Sequence, residues 1–303
     1  MDEDDEDGGA GITLNVSSAE KVLFPDAKIT KGALIDYYAE VASVMLPHLR
    51  DRPLTLHRFP AGIERPGFFQ KRIDEDAPPW VERVAMPTRG GEAMTYALAN
   101  NGATLLYLAN KNSIAFHTCA VRRGALERPD LLVFDLDPSD DDFEKIRLGA
   151  KHLGAMLAAV GLAPYVKTSG SRGLHVVAPI VPEEDDDGVR GFARAIAERL
   201  CRRDPSRFTL ETVKKRRGDR VFLDLRNASA QTVVAPYSAR ALPGAPVAAP
   251  ITWKELEDPG LHGRRFSIRE IPARLRAIGD PWRELAAGAK SLRAARARLA
   301  TLD

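Results

Sequence analysis

Two carboxylates stand one residue apart at the end of an apolar run, in Leu131-Leu132-Val133-Phe134-Asp135-Leu136-Asp137-Pro138. Side chains alternate along a strand, so a strand here places Asp135 and Asp137 on one face. Two unpaired carboxylates at that separation repel, and each resists burial unless a cation neutralises it. A divalent metal resolves the conflict. Oxygen-only ligands suit Mn²⁺ or Mg²⁺, which can clamp nucleotide phosphates and lower the barrier to attack by a hydroxyl. A D-x-D pair alone also fits a solvated strand end, but Val221-Phe222-Leu223-Asp224 is a second apolar run delivering a third carboxylate. Neighbouring strands that build one two-metal site would give this pattern.

A second segment with chemistry is Lys167-Thr168-Ser169-Gly170-Ser171-Arg172-Gly173-Leu174-His175, between two strand-like runs. Its glycines permit close backbone approach, and its hydroxyls, Arg172 and free N–H groups can surround a triphosphate. The G-x-x-x-x-G-K-[ST] spacing of a Walker A loop is absent. In isolation the segment also fits a polar hairpin turn.

The motifs FDLDP, KTSGSRGLHV, VFLDLRNA and VAPYSAR, preceded in order by EKVLFP, ITKG, RPLTLHRFP and GFFQKR, resemble the polymerase domain of bacterial ligase D, a branch of the archaeo-eukaryotic primase superfamily. The resemblance runs from about Leu14 to about Arg274. It implies that Asp135, Asp137 and Asp224 bind two catalytic ions, Mn²⁺ or Mg²⁺. It implies that His117, Ser169, Arg172 and Arg240 surround the phosphates of the incoming nucleotide. His175 either helps to shape that pocket or is a strand-buried histidine. Lys21 and Lys31 match a pair that holds the 5′-phosphate of a gapped or broken DNA end, and Phe68 and Phe69 match aromatics that support bases by stacking. Two departures stand out. Leu225-Arg226-Asn227 is one residue shorter than the family pattern, and Arg172 stands where lysine is frequent, keeping the charge and gaining a bidentate grip on phosphate.

The activity implied by the resemblance is nucleotide transfer that fills gaps and extends 3′ ends at double-strand breaks in non-homologous end joining, with a preference for ribonucleotides and manganese. The implied partners are DNA with broken or gapped ends and a 5′-phosphate, nucleoside triphosphates, Ku and an ATP-dependent DNA ligase. No KxDG ligase nucleophile occurs in the chain, so sealing falls to another polypeptide or module. The alternatives are a primase that starts chains without a primer and a non-catalytic DNA-end-binding module; retention of all three carboxylates argues against the second.

These residues need strands to carry them. Strand-like runs fall at Leu54 to Phe59, Ala115 to Ala120, Leu131 to Asp137, Pro164 to Thr168, Gly173 to Ile180, Arg220 to Leu225 and Thr232 to Tyr237. Helical spacing occurs from Ile29-Thr30, with Thr30 as N-cap, to about Arg50, and over Asp142 to Val160 and Asp187 to Arg203. After Pro250 the sequence reads as helical and basic, with Leu292 and Leu299 able to pack a surface helix on the body. The expected fold is α+β: a mixed or antiparallel RRM-like primase-polymerase core with flanking helices and a smaller N-terminal part. Residues 1–11 read as a disordered acidic tail and 12–303 as one primase-polymerase domain, with a DNA-end-binding part at about 12–110, a catalytic core at about 111–250 and a C-terminal helical part at about 251–303.

Composition is that of a globular enzyme, at 44% hydrophobic and 28% charged residues, and apolar runs are far too short to span a bilayer. The N-terminus carries six acidic residues from Asp2 to Asp7 rather than the basic, apolar start of a secretory signal, which points to the inside of the cell; the resemblance implies the nucleoid in the cytoplasm. The net charge of +2 conceals +8 in the remainder once those six are set aside. Arg202, Arg203, Arg207, Lys214, Lys215, Arg216, Arg217 and Arg220 form a basic stretch able to face phosphate or simply solvent. Cys119 and Cys201 are the two cysteines, with no CxxC pair, and read as inert thiols.

Overall fold

A computed structural model describes residues 14–87, 91–138, 140, 142–225 and 232–302. The expected tail over 1–11, and Arg226 and Asn227, lie outside these residues. In chain order the elements are β1 (Val22–Phe24), β2 (Ile29–Thr30), α1 (Lys31–Leu49), β3 (Leu54–Arg58), β4 (Phe68–Gln70), β5 (Arg83–Pro87), β6 (Ala93–Ala97), α2 (Gly102–Asn110) and β7 (Ser113–Cys119). Then follow β8 (Leu131–Asp137), α3 (Phe143–Ala159), β9 (Tyr165–Thr168), β10 (Leu174–Pro179), α4 (Asp186–Arg203), β11 (Phe208–Thr209), β12 (Val221–Asp224), β13 (Thr232–Val234), β14 (Pro250–Ile251), α5 (Ile271–Ile278) and α6 (Leu292–Thr301).

Two sheets carry the architecture, ordered β11-β12-β8-β10-β9-β14 and β13-β7-β3-β4. The first is mixed, because β11 and β12 run parallel while its other pairings are antiparallel. The second is antiparallel throughout. This is the expected α+β class.

Alternation along β8 divides the six-stranded sheet. Leu132, Phe134 and Leu136 point to one face and are fully buried in the main core with Ile146 and Leu153 of α3 and Phe192 and Ile196 of α4. Each such burial stabilises the fold by about 1.5–3 kcal/mol. The opposite face begins apolar, with Leu131 and Val133 packed against Val177, Val233, Trp282 and Leu285, and ends in Asp135 and Asp137.

The helices start where the sequence places caps. Thr30 accepts from Ala33 N at 3.2 Å, and Asp142 and Asp185 cap α3 and α4 in the same way. Pro47 falls inside α1, yet the helix continues to Leu49. Three features depart from the sequence reading. A helix, α2, begins at the Asn101 cap, whose side chain accepts from Thr104 N at 2.8 Å, and β5 and β6 form a separate hairpin. The segment after Pro250 is less helical than expected. It opens with the edge strand β14, which starts at Pro250, and a single 3₁₀ turn at Lys254–Glu257 before α5, whose first turn carries Pro272. Leu292 and Leu299 do seat α6 on the core.

Candidate active site

Register assembles the site. On β8 and β12, Asp135 lies directly opposite Asp224; on β8 and β10, opposite His175; and His175 in turn faces Lys167 on β9. Cross-strand partners share a face, so Asp224, Asp135, His175 and Lys167 form one row across four strands, with Asp137 two residues further along the same face. His175 Nε2 lies 3.4 Å from Asp135 Oδ1.

The row is buried at Asp224, His175 and Lys167 and half-buried at Asp135, and it is electrostatically frustrated. Asp224 is 2% exposed and Lys167 1%. Burial first, then the charges of Asp137 and Asp224, push the Asp135 carboxyl up to about 7, against the pull of Lys167 and Arg240. Burial and Arg240 push Lys167 down to about 7, with Asp135 countering. A divalent cation would relieve the carboxylate repulsion, so the donor chemistry fits Mn²⁺ or Mg²⁺. Among the described residues no group of three or more carboxylate, histidine or cysteine side chains forms a complete metal-binding cluster. The structure thus offers a shared carboxylate face rather than a closed cage.

The four-stranded sheet turns its own polar face to this row. His117 on β7 and His57 on β3 stand on that face with Phe69 of β4, which pairs with His57. The His57 and Phe69 rings stack at 4.0 Å and 11°, and His117 meets Phe69 edge-on at 5.5 Å. Burial, then Arg240, His57 and Lys167, push His117 down to about 3, leaving a neutral imidazole whose Nε2 has no hydrogen-bond partner among the described residues. Burial, with Lys167, Arg240 and His117, also holds His175 well below its ordinary value. Arg240 therefore sits within the field of both sheets, and burial lowers its own pKa.

The 169–173 loop closes one end. Ser169 N donates to Gly173 O at 3.0 Å, while Ser169 Oγ accepts from Ser171 N and Gly173 N at 3.2 and 3.1 Å, leaving the hydroxyl proton for a ligand. Arg240 Nη1 donates to Ser169 O at 3.4 Å. Gly170 has φ +64°, and a Cβ there would lie 2.6 Å from Arg240 Cγ; one at Gly173 would lie 2.1 Å from Leu136 O. The glycines thus let the loop sit against β8 and Arg240. Arg172 is exposed on the same loop.

The remaining expected residues fall in two places. Phe68 and Phe69 are 47% and 58% exposed, which suits stacking rather than core packing. Lys21 and Lys31 come together at the β1-β2 hairpin, where Lys31 N donates to Lys21 O at 2.8 Å. Lys31 is not a plain surface charge: it is 2% exposed, and its ammonium donates to Ser17 O and Oγ at 2.7 and 2.9 Å. Burial and then the charge of Lys21 lower its pKa. The Lys21 ammonium is bound to Pro60 O. In the basic stretch, Arg217 and Arg220 donate to the loop's own carbonyls, and Arg217 lies 3.7 Å over the Phe222 ring, beside Asp137 in the register. Both thiols are free, and burial pushes Cys119 up to about 11, in keeping with inert cysteines.

Three residues went unassigned in the sequence. Lys167 is a lone lysine on an apolar strand, a signal that was available. His57 and Arg58 lie directly across from Phe69 and Phe68, with the Arg58 guanidinium 5.5 Å over the Phe68 ring; that pairing becomes visible only with the register.

The family model for the LigD primase-polymerase domain matches residues 30–282. LigD proteins of Mycobacterium tuberculosis and Pseudomonas aeruginosa, both named as multifunctional non-homologous end joining proteins, are 35% and 33% identical over 277 and 290 residues. These alignments cover 88% and 94% of this chain and 36% and 34% of theirs. The bifunctional non-homologous end joining protein LigD of Bacillus subtilis is 32% identical over 272 residues, covering 89% of this chain and 43% of its own. The chain thus spans about a third to two-fifths of the length of these relatives. The solved polymerase domain of Mycobacterium tuberculosis ligase D in complex with DNA superposes with a TM-score of 0.85 at 35% identity, over 91% of this chain and 99% of that one. Together with the motif order, these matches place the chain in the LigD primase-polymerase domain family.

Proposed function

We propose that the chain transfers a nucleoside monophosphate from a nucleoside triphosphate to the 3′-hydroxyl of a DNA end, filling gaps and extending ends during non-homologous end joining. The observation that carries this reading is the row of Asp224 and Asp135, with Asp137 on the same face, set opposite the imidazoles of a second sheet and within the field of Arg240. In the reaction the 3′-oxygen forms a bond to the α-phosphorus, the bond to the bridging oxygen of the β-phosphate breaks, and pyrophosphate leaves. Two divalent cations held by Asp135, Asp137 and Asp224 would supply a lowered pKa for the attacking hydroxyl and charge stabilisation on the leaving group.

The chain's own groups supply binding and orientation. Arg240 and Arg172 offset phosphate charge, the Ser169 hydroxyl donates, and His117, held neutral by burial, offers a hydrogen bond without adding charge. Phe69, backed by His57, presents its outer ring face to a base, and Phe68 is backed likewise by Arg58. Lys21 and Lys31, in the N-terminal part at about 12–110, hold the downstream 5′-phosphate. Ribonucleotides and Mn²⁺ are the preferred substrate and ion, and Ku and an ATP-dependent ligase the partners, acting at the nucleoid in the cytoplasm. Among the described residues no helix is long and apolar enough to cross a membrane.

The test is extension of a labelled primer across a gap bearing a downstream 5′-phosphate, with ribo- and deoxyribonucleotides and with Mn²⁺ and Mg²⁺. Ribonucleotide addition with Mn²⁺ is expected. Dinucleotide synthesis on an unprimed template would favour a primase instead, and end binding without incorporation would favour a non-catalytic module.

A further inference from the structure

We infer that a cavity beside the carboxylate row, on the same sheet face, is a binding site for an amphipathic organic anion. The cavity holds about 760 Å³, within the range of small-molecule sites of roughly 300–1,000 Å³. None of Asp135, Asp137, Asp224, His117, Ser169 and Arg240 lines it; it adjoins the proposed triphosphate site through Lys167 alone of the carboxylate row.

Its floor is apolar. Val133 and Val177, cross-strand partners one step beyond Asp135 and His175 on the same face, meet Val233, Trp282 and Leu285 there. Three basic side chains at least nine-tenths buried line the same space: His48 at 7% exposure, Arg52 at 2% and Lys167 at 1%. Two of them have carboxylate partners. His48 Nε2 lies 2.9 Å from Asp280 Oδ2, and Arg52 donates to both Asp130 oxygens at 2.6 and 2.8 Å. The Lys167 ammonium has no hydrogen-bond partner among the described residues. At the rim, Arg50 and Arg128 are exposed, and neither has an ion-pair partner among the described residues.

A buried donor without an acceptor is costly, and an apolar wall cannot satisfy it. A ligand that matches both features has an apolar body for the valine and tryptophan floor and one anionic head, a carboxylate, sulfonate or phosphate monoester, for Lys167 and the rim arginines.

Two dyes of one ring skeleton test this, 8-anilinonaphthalene-1-sulfonate and its uncharged counterpart N-phenyl-1-naphthylamine, titrated by fluorescence into the full chain. The sulfonate should bind saturably, at one site, at least tenfold more tightly than the neutral dye. Ala286→Trp, which fills the exposed mouth of the cavity, should weaken it at least tenfold. Arg128→Glu, at an exposed position where folding is not at stake, should weaken it severalfold. Melting curves confirm that each variant is folded. Lack of saturable binding, equal affinity for the neutral dye, or full-strength binding by either folded variant overturns the proposal.

Discussion

Asp135 is at odds with its surroundings, and that conflict gives it a stability signature. Its carboxyl is raised from 3.8 to about 7 by burial and by two neighbouring aspartates. A raised acid pKa means that the fold favours the protonated form. The destabilisation therefore grows as pH rises from the ordinary carboxylate value to about 7 and stays level above it. Asp135→Asn removes that penalty. The variant should melt above the wild type at pH 8 without metal, by a few degrees at about 2–4 °C per kcal/mol, and the gap should close as pH falls toward 4. Equal melting temperatures at pH 8 would show that the carboxyl is not strained. His57 has a different signature, because it acts through Phe69. Losing a stacked partner costs about 0.5–1.5 kcal/mol, so His57→Ala should raise KM for the nucleotide roughly two- to tenfold with a smaller change in kcat, and the loss should largely disappear in a Phe69→Ala background. A fall in kcat at constant KM would show that His57 acts elsewhere.

The phosphate loop depends on backbone that only glycine permits. At Gly170 an alanine meets both a positive φ of +64° and the Arg240 side chain at 2.6 Å. The same Cβ would lie 2.9 Å from backbone atoms of Val247 and Ala248, so Gly170→Ala should weaken nucleotide binding by displacing Arg240 and also lower the melting temperature; unchanged nucleotide affinity would mean that the loop does not shape the pocket. Much at this scale is legible in sequence. The apolar runs ending in Asp135, Asp137 and Asp224 reveal β8 and β12, and strand parity alone puts the first two on one face. Thr30 announces α1. What escapes is whatever depends on pairing between distant segments. The alignment of Asp224, Asp135, His175 and Lys167 is a property of register, as is the seat of His57 beneath Phe69. The β5-β6 hairpin escapes because Arg83-Val84-Ala85-Met86-Pro87 and Ala93-Met94-Thr95-Tyr96-Ala97 have few strong strand formers. The burial of Lys31 escapes as well, because it follows from Ser17 lying against its ammonium.

Across the whole molecule, two sheets bring a carboxylate face and an imidazole-aromatic face together around Arg240, while the lysine pair stands apart at the β1-β2 hairpin. Separate sites for end and nucleotide predict separable defects. The Lys21→Ala, Lys31→Ala double variant should lose the preference for a 5′-phosphate over a 5′-hydroxyl, at one fixed salt concentration because phosphate attraction varies steeply with salt, yet still add nucleotides to a plain recessed end. An undiminished 5′-phosphate preference would rule the pair out. Lys31→Ala alone should also lower the melting temperature, since its ammonium anchors Ser17. The central claim is that nucleotide addition occurs at the carboxylate row. Its most direct test is single-turnover ribonucleotide addition to a gapped DNA with saturating Mn²⁺, comparing wild type with Asp135→Asn, Asp137→Asn and Asp224→Asn, whose DNA affinity is measured alongside. Each variant should bind DNA about as well as wild type and add nucleotide at least about 10²-fold more slowly, the scale of losing one electrostatic stabiliser of a transition state; near-wild-type addition by any of the three would contradict the account.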